Sequence, residues 1–443
     1  MPLGHSADSR TEHAGDALIE HYSRVRQRTL DLIDGLHPED AVVQSMDDTS
    51  PTKWHLAHTA WFFEQFILRE HMPAYEPLDA RYAHLFNSYY ETVGPMHART
   101  HRGLLSRPTL SQIIDYRKHV DTAMLSLLEM RFEALMADAS RGRGPRSAAH
   151  DAKAAPADSL ADIITIGLHH EQQHQELLLT DIQHVLSCNP LRPALREHLP
   201  AVTGEATQTT FESFVGGIVS VGVDQRSTTF SYDNESPRHR ALLEDFEIAN
   251  ALVTNGEYKQ FIADGGYHNA ALWLSDGWAC VNQHQWRAPL YWLDGHEQQF
   301  TLGGVREIDD NAPVAYLSLF EADAFARWAG ARLPSEIEWE HCAAQQSVSG
   351  NFAESDLWQP APGAGQWFGD VWEWTASAYL PYPGFKPLNG ALGEYNGKFM
   401  SNQMVVRGGS ALSAQDHLRA TYRSFFYPHQ RWQCLGLRLA RST

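Results

Sequence analysis

The spacing of apolar residues changes near Pro190, and this change limits the folds that the chain can adopt. Before Pro190, apolar residues recur at three- and four-residue spacing along four segments, as in amphipathic helices. Beyond Thr210 helical periodicity is rare, and short apolar runs alternate with Gly, Asn, Asp and Trp. A chain of 443 residues has room for more than one domain. We therefore expect an α+β protein with a helical domain at 16–190, a linker at 191–210 and a second domain at 211–443.

The four amphipathic segments predict a four-helix bundle in the first domain. The expected helices cover 16–36, 50–70, 109–136 and a segment that begins near Ser159. Thr109 and Gln112 have the spacing of a capping box, in which each residue satisfies the backbone N–H of the other. A long polar and aromatic loop joins the second and third helices. Metal sites commonly form between the facing helices of such bundles.

His170 and His174 lie one turn apart on the same face of the fourth predicted helix. Apolar side chains flank them on that face, at Ile163, Ile166 and Leu177. Burial of an imidazole is costly unless a hydrogen bond or a metal satisfies its nitrogens. A hydrogen-bonded core histidine is the alternative for either residue. Two ligands do not complete a metal site, and spacing alone leaves both His55 and His58 as candidates for a third.

Composition restricts the partners and the location of the protein. The net charge is −19 and there is no basic run, so nucleic acid is not an expected partner. No stretch approaches 18 apolar residues, and the polar N-terminus has no apolar signal region, which favours a cytoplasmic protein without a membrane partner. The oligomeric state is left open. The four cysteines are far apart and are interpreted as reduced thiols: Cys188, Cys280, Cys342 and Cys434.

Four strings in the second domain resemble the formylglycine-generating-enzyme (sulfatase-modifying factor) fold, a C-type-lectin-like α+β domain. They are AGARLPSEIEWE at 329–340, GDVWEWT at 369–375, VRGGS at 406–410 and GLRLA at 436–440. The first domain resembles the DinB-like four-helix bundle. With these parts in this order, and with His170-x-x-x-His174-x-Glu176 in the fourth helix, the chain resembles the ergothioneine-pathway sulfoxide synthases.

This resemblance implies an iron(II) site. In the family the third ligand lies in a Leu-Ala-His string, which is residues 56–58 here, so the resemblance selects His58 to join His170 and His174. Three neutral imidazoles leave half of an octahedral iron open to substrates. On a helical wheel Glu176 lies about 120° from His170, so we expect it to support the site rather than bind the metal. Gln173 lies about 60° from His170 and is expected to contact a substrate.

The family joins cysteine or γ-glutamylcysteine to imidazole C2 of hercynine (N-α-trimethylhistidine) in ergothioneine biosynthesis, with O2 as co-substrate, and the product is a sulfoxide. Tyr89 and Tyr90 match the paired tyrosines of one branch, which implies a catalytic role as proton donor. Tyr395 lies near the catalytic tyrosine of another branch. For Tyr395 we prefer the interpretation of an aromatic residue that packs a loop.

The resemblance also implies substrate contacts. Arg99 and Arg102 have the spacing of the family's carboxylate-binding arginines, although a solvated surface pair is the alternative. Phe425, Phe426 and Trp432 match positions of the substrate pocket, where aromatic rings suit a trimethylammonium group. Relatives that use γ-glutamylcysteine have an aspartate at the position of Phe426, so we expect cysteine to be the preferred donor.

Several alternatives stay open. Formylglycine generation needs a reactive cysteine pair, and Cys434 has no obvious partner. A zinc-dependent DinB-like thiol transferase would also use three histidines, but such enzymes lack the second domain. A selenium-donor relative that makes selenoneine is a further alternative. A non-catalytic lectin-like binding module is the last, and the inward-facing histidine pair argues against it.

Overall fold

A computed structural model describes residues 8–140, 160–200, 203–205, 207–227, 229–363 and 366–443. The chain forms two compact units, which are described separately. The first comprises the residues up to Leu178 together with Leu388–Leu392, and the second comprises Leu179–Pro387 and Gly393–Thr443. Long helices dominate the first unit, whereas the second contains all the strands of the described chain. The predicted α+β class is therefore confirmed.

Four long helices lie in the order that the hydrophobic periodicity predicts. The helices of the first half are α1 (Asp8–Leu32), α2 (Thr52–Phe63), α3 (Arg69–His71), α4 (Tyr82–Leu85), α5 (Leu110–Ser140) and α6 (Leu160–Cys188). The capping box before α5 is formed, because Thr109 N donates to Gln112 Oε1 at 2.9 Å and Gln112 N donates to Thr109 Oγ1 at 3.2 Å. Ser159, the predicted start of the last helix, lies outside the described residues.

The helix α2 is buried on every side. All twelve of its residues are buried, including polar ones such as Lys53. The Lys53 ammonium donates to the carbonyl oxygens of Leu105 and Pro108, which satisfies a charge that burial would otherwise penalise. The helix therefore lies at the centre of the first unit, and any side chain on it has a well-defined position.

A buried ionic cluster around Glu171 holds three helices together. The Glu171 carboxylate accepts hydrogen bonds from Arg26 of α1 at 2.6 Å, from Arg117 of α5 at 2.7 Å and from Thr29 of α1 at 2.6 Å. Burial raises the pKa of Glu171, but the charges of Arg117 and Arg26 outweigh this effect and lower the pKa to about 2. Glu171 is thus a permanent anion that fixes α6 at the residue next to His170.

The second unit is built on small sheets. Its strands are β1 (Phe211–Phe214), β2 (Gly217–Val221), β3 (His239–Leu243), β4 (Phe246–Leu252), β5 (Gln298–Thr301), β6 (Gly304–Glu307), β7 (Trp372–Ala378), β8 (Met404–Arg407), β9 (Ser424–Phe426), β10 (Leu435–Gly436) and β11 (Arg438–Ser442). The largest sheet has the order β10-β7-β8-β9, with β10 parallel to β7 and the other pairs antiparallel. The other sheets are β1-β4-β11, β2-β3 and β5-β6.

The α-helices that accompany these sheets in the described part of the second unit are α7 (Asn255–Ala263), α8 (Ser275–His284), α9 (Leu319–Trp328) and α10 (Glu336–Ala343). Both α9 and α10 begin with a serine capping box, at Ser318 and Ser335. None of the described helices is long and apolar enough to cross a membrane.

The described residues between α6 and β1 form neither helix nor strand, as expected for a connecting segment. This segment is nevertheless fixed in place. Leu195 is buried, and its N–H donates to the Leu302 carbonyl oxygen at 2.8 Å. Arg306 Nη2 likewise donates to the carbonyl oxygen of Leu199. The connection therefore packs along the β5-β6 hairpin, and the domain bounds at 190 and 211 stay predictions.

Candidate metal centre

Two helices, α2 and α6, bring three histidines together inside the first unit. One ring nitrogen from each of His58, His170 and His174 lies within 4.8 Å of the others. The ring centroids form a nearly equilateral triangle with sides of 4.9, 4.8 and 4.6 Å. His58 and His170 are buried, and His174 is half-buried. These are the three histidines that the family resemblance selects as ligands.

The close approach of the two helices depends on Gly167, one turn before His170. A Cβ atom at this position would lie 2.7 Å from Cε1 of Phe63 and 3.0 Å from Cε1 of Phe62. The first distance is shorter than real carbon contacts and the second is at the tight limit, so only glycine fits without displacement of the rings. The missing side chain allows α6 to pack directly against α2 where the histidines meet.

The three imidazoles are neutral at physiological pH. Burial is the main cause that lowers the pKa of each, and it takes the pKa of His170 to about 3. The pKa values of His58 and His174 are also lowered well below the ordinary value, first by burial and then by the charge of a protonated His170. A neutral imidazole has a lone pair to offer, which is the form that binds metals.

One nitrogen of His58 is aimed at the cluster without a hydrogen bond. Its Nδ1 lies 2.6 Å from the carbonyl oxygen of Phe86, so Nδ1 donates and Nε2 has the lone pair. This Nε2 atom is buried and has no hydrogen-bond partner in the described part of the chain. A buried lone pair is unfavourable unless something coordinates it. The donor set of three neutral imidazoles therefore fits a divalent metal.

The two arginines that sequence reasoning paired are in different environments. Arg102 is buried, its guanidinium carbon lies 3.3 Å from the centroid of the Trp54 ring, and its Nη1 donates to Ser50 Oγ at 2.9 Å. Trp54 in turn stacks on His58 at 4.6 Å. Arg99 is exposed. Of the two predicted carboxylate-binding residues, Arg102 is the one beside the histidine cluster.

The predicted tyrosine pair belongs to the same unit. The hydroxyl oxygens of Tyr89 and Tyr90 lie 3.4 Å apart, with Tyr90 buried and Tyr89 half-buried. Tyr90 stacks on Trp61 at 5.6 Å, and Trp61 stacks on His58 at 5.5 Å. A single indole ring thus connects the tyrosine pair to the histidine cluster. Gln173, the predicted substrate contact on α6, is half-buried.

The remaining predicted site residues lie in the second unit. Phe425 is half-buried and stacks on Tyr379 with ring centroids 4.0 Å apart. Phe426 is half-buried at the end of β9. Trp432 is buried, and its indole N–H donates to Asp181 at 2.9 Å. The indole nitrogen of Trp432 is therefore already engaged by the protein.

Tyr395 is buried in the second unit and stacks on Tyr232, with ring centroids 5.3 Å apart. This environment agrees with the preferred interpretation of Tyr395 as a packing residue.

Comparisons with known proteins agree with this arrangement. Residues 21–178 match the DinB superfamily, and residues 201–367 and 359–443 match the sulfatase-modifying factor enzyme 1-like domain. A hercynine oxygenase of Mycobacterium tuberculosis is 33% identical over 96% of this chain and 98% of its own length. The chain belongs to the hercynine oxygenase family. Hercynine oxygenases of Mycolicibacterium thermoresistibile (33% identical, 94% of this chain, 92% of the relative) and Mycolicibacterium smegmatis (30% identical, 96% and 99%) are further relatives.

These matches confirm the family and the two domain types that the sequence strings predict. In this member of the hercynine oxygenase family, two residues beside the histidine cluster have no role that the sequence analysis assigned. The first is Glu171, which adjoins His170. The sequence around Glu171 gave no signal that arginine residues bind its carboxylate. His55 was considered only as a rival of His58. Its Nδ1 lies 2.9 Å from Nδ1 of His174, and no sequence pattern predicts this contact.

Proposed function

We propose that this chain is a hercynine oxygenase that joins the sulfur of cysteine, or of γ-glutamylcysteine, to imidazole C2 of hercynine. The reaction consumes one thiol, one hercynine and one O2, and it gives one sulfoxide and one water. The C2–H and S–H bonds break, a C–S and an S=O bond form, and O2 accepts four electrons. The observation that carries the proposal is the buried triad of neutral histidines in a chain that matches hercynine oxygenases over nearly its whole length.

The metal that we propose for His58, His170 and His174 is iron(II). When bound, it would supply the oxygen chemistry and an anchor for the thiolate and the imidazole. The role of the protein is to hold these groups together, since correct placement removes much of the entropic barrier of a reaction between three molecules. The burial of His58 and His170 also restricts water at the site.

The surrounding residues have proposed roles in this reaction. Arg102 is buried beside the triad and carries a permanent charge that suits a substrate carboxylate, with exposed Arg99 as a second contact. A hydroxyl of the Tyr89–Tyr90 pair donates a proton that directs the reaction toward C–S bond formation and away from oxidation of the thiol alone. Gln173 contacts a substrate at the metal.

In the second unit, Phe425, Phe426 and Trp432 are proposed to recognise the trimethylammonium group of hercynine through their aromatic faces. None of the four cysteines forms a disulfide, which supports the proposed cytoplasmic location.

The direct test is product analysis. Anaerobically purified protein, loaded with iron(II), is mixed with hercynine, O2 and a panel of thiol and selenium donors, and the products are identified by mass spectrometry. We expect a hercynyl sulfoxide with one O2 consumed per product. Stoichiometric zinc and thiol transfer without O2 uptake would instead favour a DinB-like transferase, and a selenium product would favour the selenoneine branch. No turnover with any donor would contradict the enzyme assignment.

The metal ligands are tested separately. His58→Ala, His170→Ala and His174→Ala should each lose most of the bound iron and nearly all turnover. His184→Ala, on the same helix but outside the triad, is the matched control and should keep both. If His58→Ala retained stoichiometric iron, the assignment of His58 would be wrong and His55 would replace it.

A further inference from the structure

His55 lies beside the histidine triad without belonging to it. It is on α2, three residues before His58, and only 3% of its surface is exposed. Its Nδ1 atom lies 2.9 Å from Nδ1 of His174 on α6. This hydrogen bond joins the two helices through a direct contact between imidazoles.

The distance between the two Nδ1 atoms restricts where the ring protons of His55 and His174 can lie. Two ring nitrogens 2.9 Å apart form a hydrogen bond only when one has a proton and the other a lone pair. With the proton on Nδ1 of His174, the Nε2 atom of His174 has the lone pair that a metal requires. His58 has the same arrangement, because its Nδ1 is held by the carbonyl oxygen of Phe86.

We propose that His55 is a positioning residue that accepts a hydrogen bond from Nδ1 of His174 and thereby presents Nε2 of His174 to the metal. Histidine ligands commonly donate their second N–H to a carboxylate, a carbonyl or a water molecule, which fixes the tautomer and the ring orientation. Here an imidazole has that task in place of a carboxylate and adds no negative charge to the site. The inference rests on the proposed metal triad and is independent of the substrates.

The surroundings of His55 suit this role. The helix α2 is fully buried, so His55 and His58 move as one rigid element. The Trp54 ring packs edge-on against His55 at 5.8 Å and stacks on His58 at 4.6 Å, and so restricts both imidazoles. One helix therefore supplies a ligand of its own and also orients the ligand that α6 contributes. His174 needs such support because it is the half-buried member of the triad.

Two variants separate orientation from packing. His55→Asn places an amide oxygen near the position of Nδ1 and keeps an acceptor for His174. His55→Phe keeps a ring of similar size and removes the acceptor. The metal-free full-length proteins are titrated anaerobically with Fe²⁺ and with Co²⁺ against a competing chelator. We expect His55→Phe to weaken metal binding by roughly 10- to 100-fold, and His55→Asn to stay close to the wild type.

The Co²⁺ absorption spectrum gives a second measurement, because its visible bands report the ligand geometry. The Asn variant should reproduce the wild-type bands and the Phe variant should not. A packing role predicts the opposite order, since Asn leaves a cavity that Phe fills. Wild-type affinity in His55→Phe would overturn the proposal.

Other results would overturn the proposal in different ways. Equal loss in both variants, to the level of His58→Ala, would make His55 a ligand rather than a positioning residue. If the wild type itself bound neither metal, the triad and the proposed function would both be wrong. If the wild type bound metal but His55→Phe did so equally well, only the inference about His55 would be wrong.

Discussion

At the scale of single residues, the histidine triad combines strong burial with neutral charge. Three imidazoles packed among aromatic rings lose their hydration, and protonation of any of them would place a positive charge in the interior. The metal-free fold therefore resists protonation of these groups. The resistance weakens the folded state at low pH, because the unfolded chain accepts protons that the folded chain does not.

The effect of pH on the free energy of unfolding has a definite sign. The pKa of His170 is about 3 in the folded protein, against an ordinary value of 6.5. The contribution of His170 to the free energy of unfolding is fully present above pH 6.5, and it falls as the pH drops from 6.5 toward 3. His170→Leu removes the titrating group and keeps a buried side chain. Between pH 7.5 and 5.5, metal-free wild type should lose about 1.4 kcal/mol more stability than the variant.

Urea unfolding at the two pH values, in the presence of a chelator, measures the difference. His184→Leu is a second test of the same argument, at a histidine outside the triad. Burial lowers the pKa of His184 too, so this variant should give a pH effect in the same direction. Equal pH dependence in wild type and His170→Leu would mean that the imidazole of His170 titrates in the folded state as it does in water.

The tyrosine pair gives a prediction about product distribution. Replacement by phenylalanine keeps the Tyr90 ring against Trp61 and the Tyr89 ring against Tyr90, and it removes only the hydroxyl. Without the proton donor, oxidation of the thiol competes, and the product ratio should shift toward cysteine sulfinic acid. Loss of a positioned proton donor should also slow sulfoxide formation by roughly 10²- to 10⁴-fold. Mass spectrometry of both products in Tyr89→Phe, Tyr90→Phe and the double variant measures the ratio.

Tyr395→Phe is the control for the tyrosine pair, since Tyr395 packs on Tyr232 in the second unit. Its product ratio should be that of the wild type. If all three variants of the pair kept the wild-type ratio, the proton donor would lie outside the pair, and a shifted ratio in Tyr395→Phe would then identify Tyr395 as the donor.

At the scale of helices, the contact between α2 and α6 controls the geometry of the site. In an exposed helix, Gly→Ala stabilises by roughly 0.5–1 kcal/mol, because alanine has the higher helix propensity. At Gly167 the added methyl group collides with Phe62 and Phe63. We expect Gly167→Ala to destabilise the protein by roughly 1–3 kcal/mol and to weaken metal binding, since His170 is one turn away. A stabilised variant with unchanged metal affinity would show that the two helices have space for a methyl group at this contact.

The sequence predicts the helices of the first unit well because amphipathic periodicity is a local property. The capping box at Thr109 and the pairing of His170 with His174 on one face both follow from residues close in the chain. The choice of His58 over His55 could not follow in this way. Both are buried on α2, and only the direction of each ring relative to α6 separates a triad member from its neighbour.

Local sequence patterns also fail to predict the partners of buried charged residues. Glu171 binds Arg26 and Arg117, which lie 145 and 54 residues away in the chain. Arg102 and Arg99 look equivalent by spacing, yet one is buried against Trp54 and the other is exposed. The Glu171 pairs depend on how α1, α5 and α6 pack, and the burial of Arg102 depends on the three-dimensional path of the segment between α2 and α5. No periodicity describes that path.

At the scale of the whole molecule, the proposed function raises the question of which thiol the chain prefers. The segment around β9 presents aromatic rings, with Phe425 stacked on Tyr379 and Phe426 half-buried at the strand end. The nearby carboxylate of Glu336 is already engaged by Arg423 and Arg407. The segment therefore offers no unengaged carboxylate to the α-ammonium group of γ-glutamylcysteine.

We accordingly expect cysteine to exceed γ-glutamylcysteine in kcat/KM by at least roughly tenfold, the effect of one charged group left without a partner. Steady-state rates with each donor at saturating hercynine measure the ratio. Phe426→Asp introduces a carboxylate at this position, and it should move the preference toward γ-glutamylcysteine. Phe426→Leu, which changes size but adds no charge, should not. An equal or reversed preference in the wild type, or a Phe426→Asp variant with the wild-type ratio, would mean that the donor's ammonium group binds elsewhere on the chain.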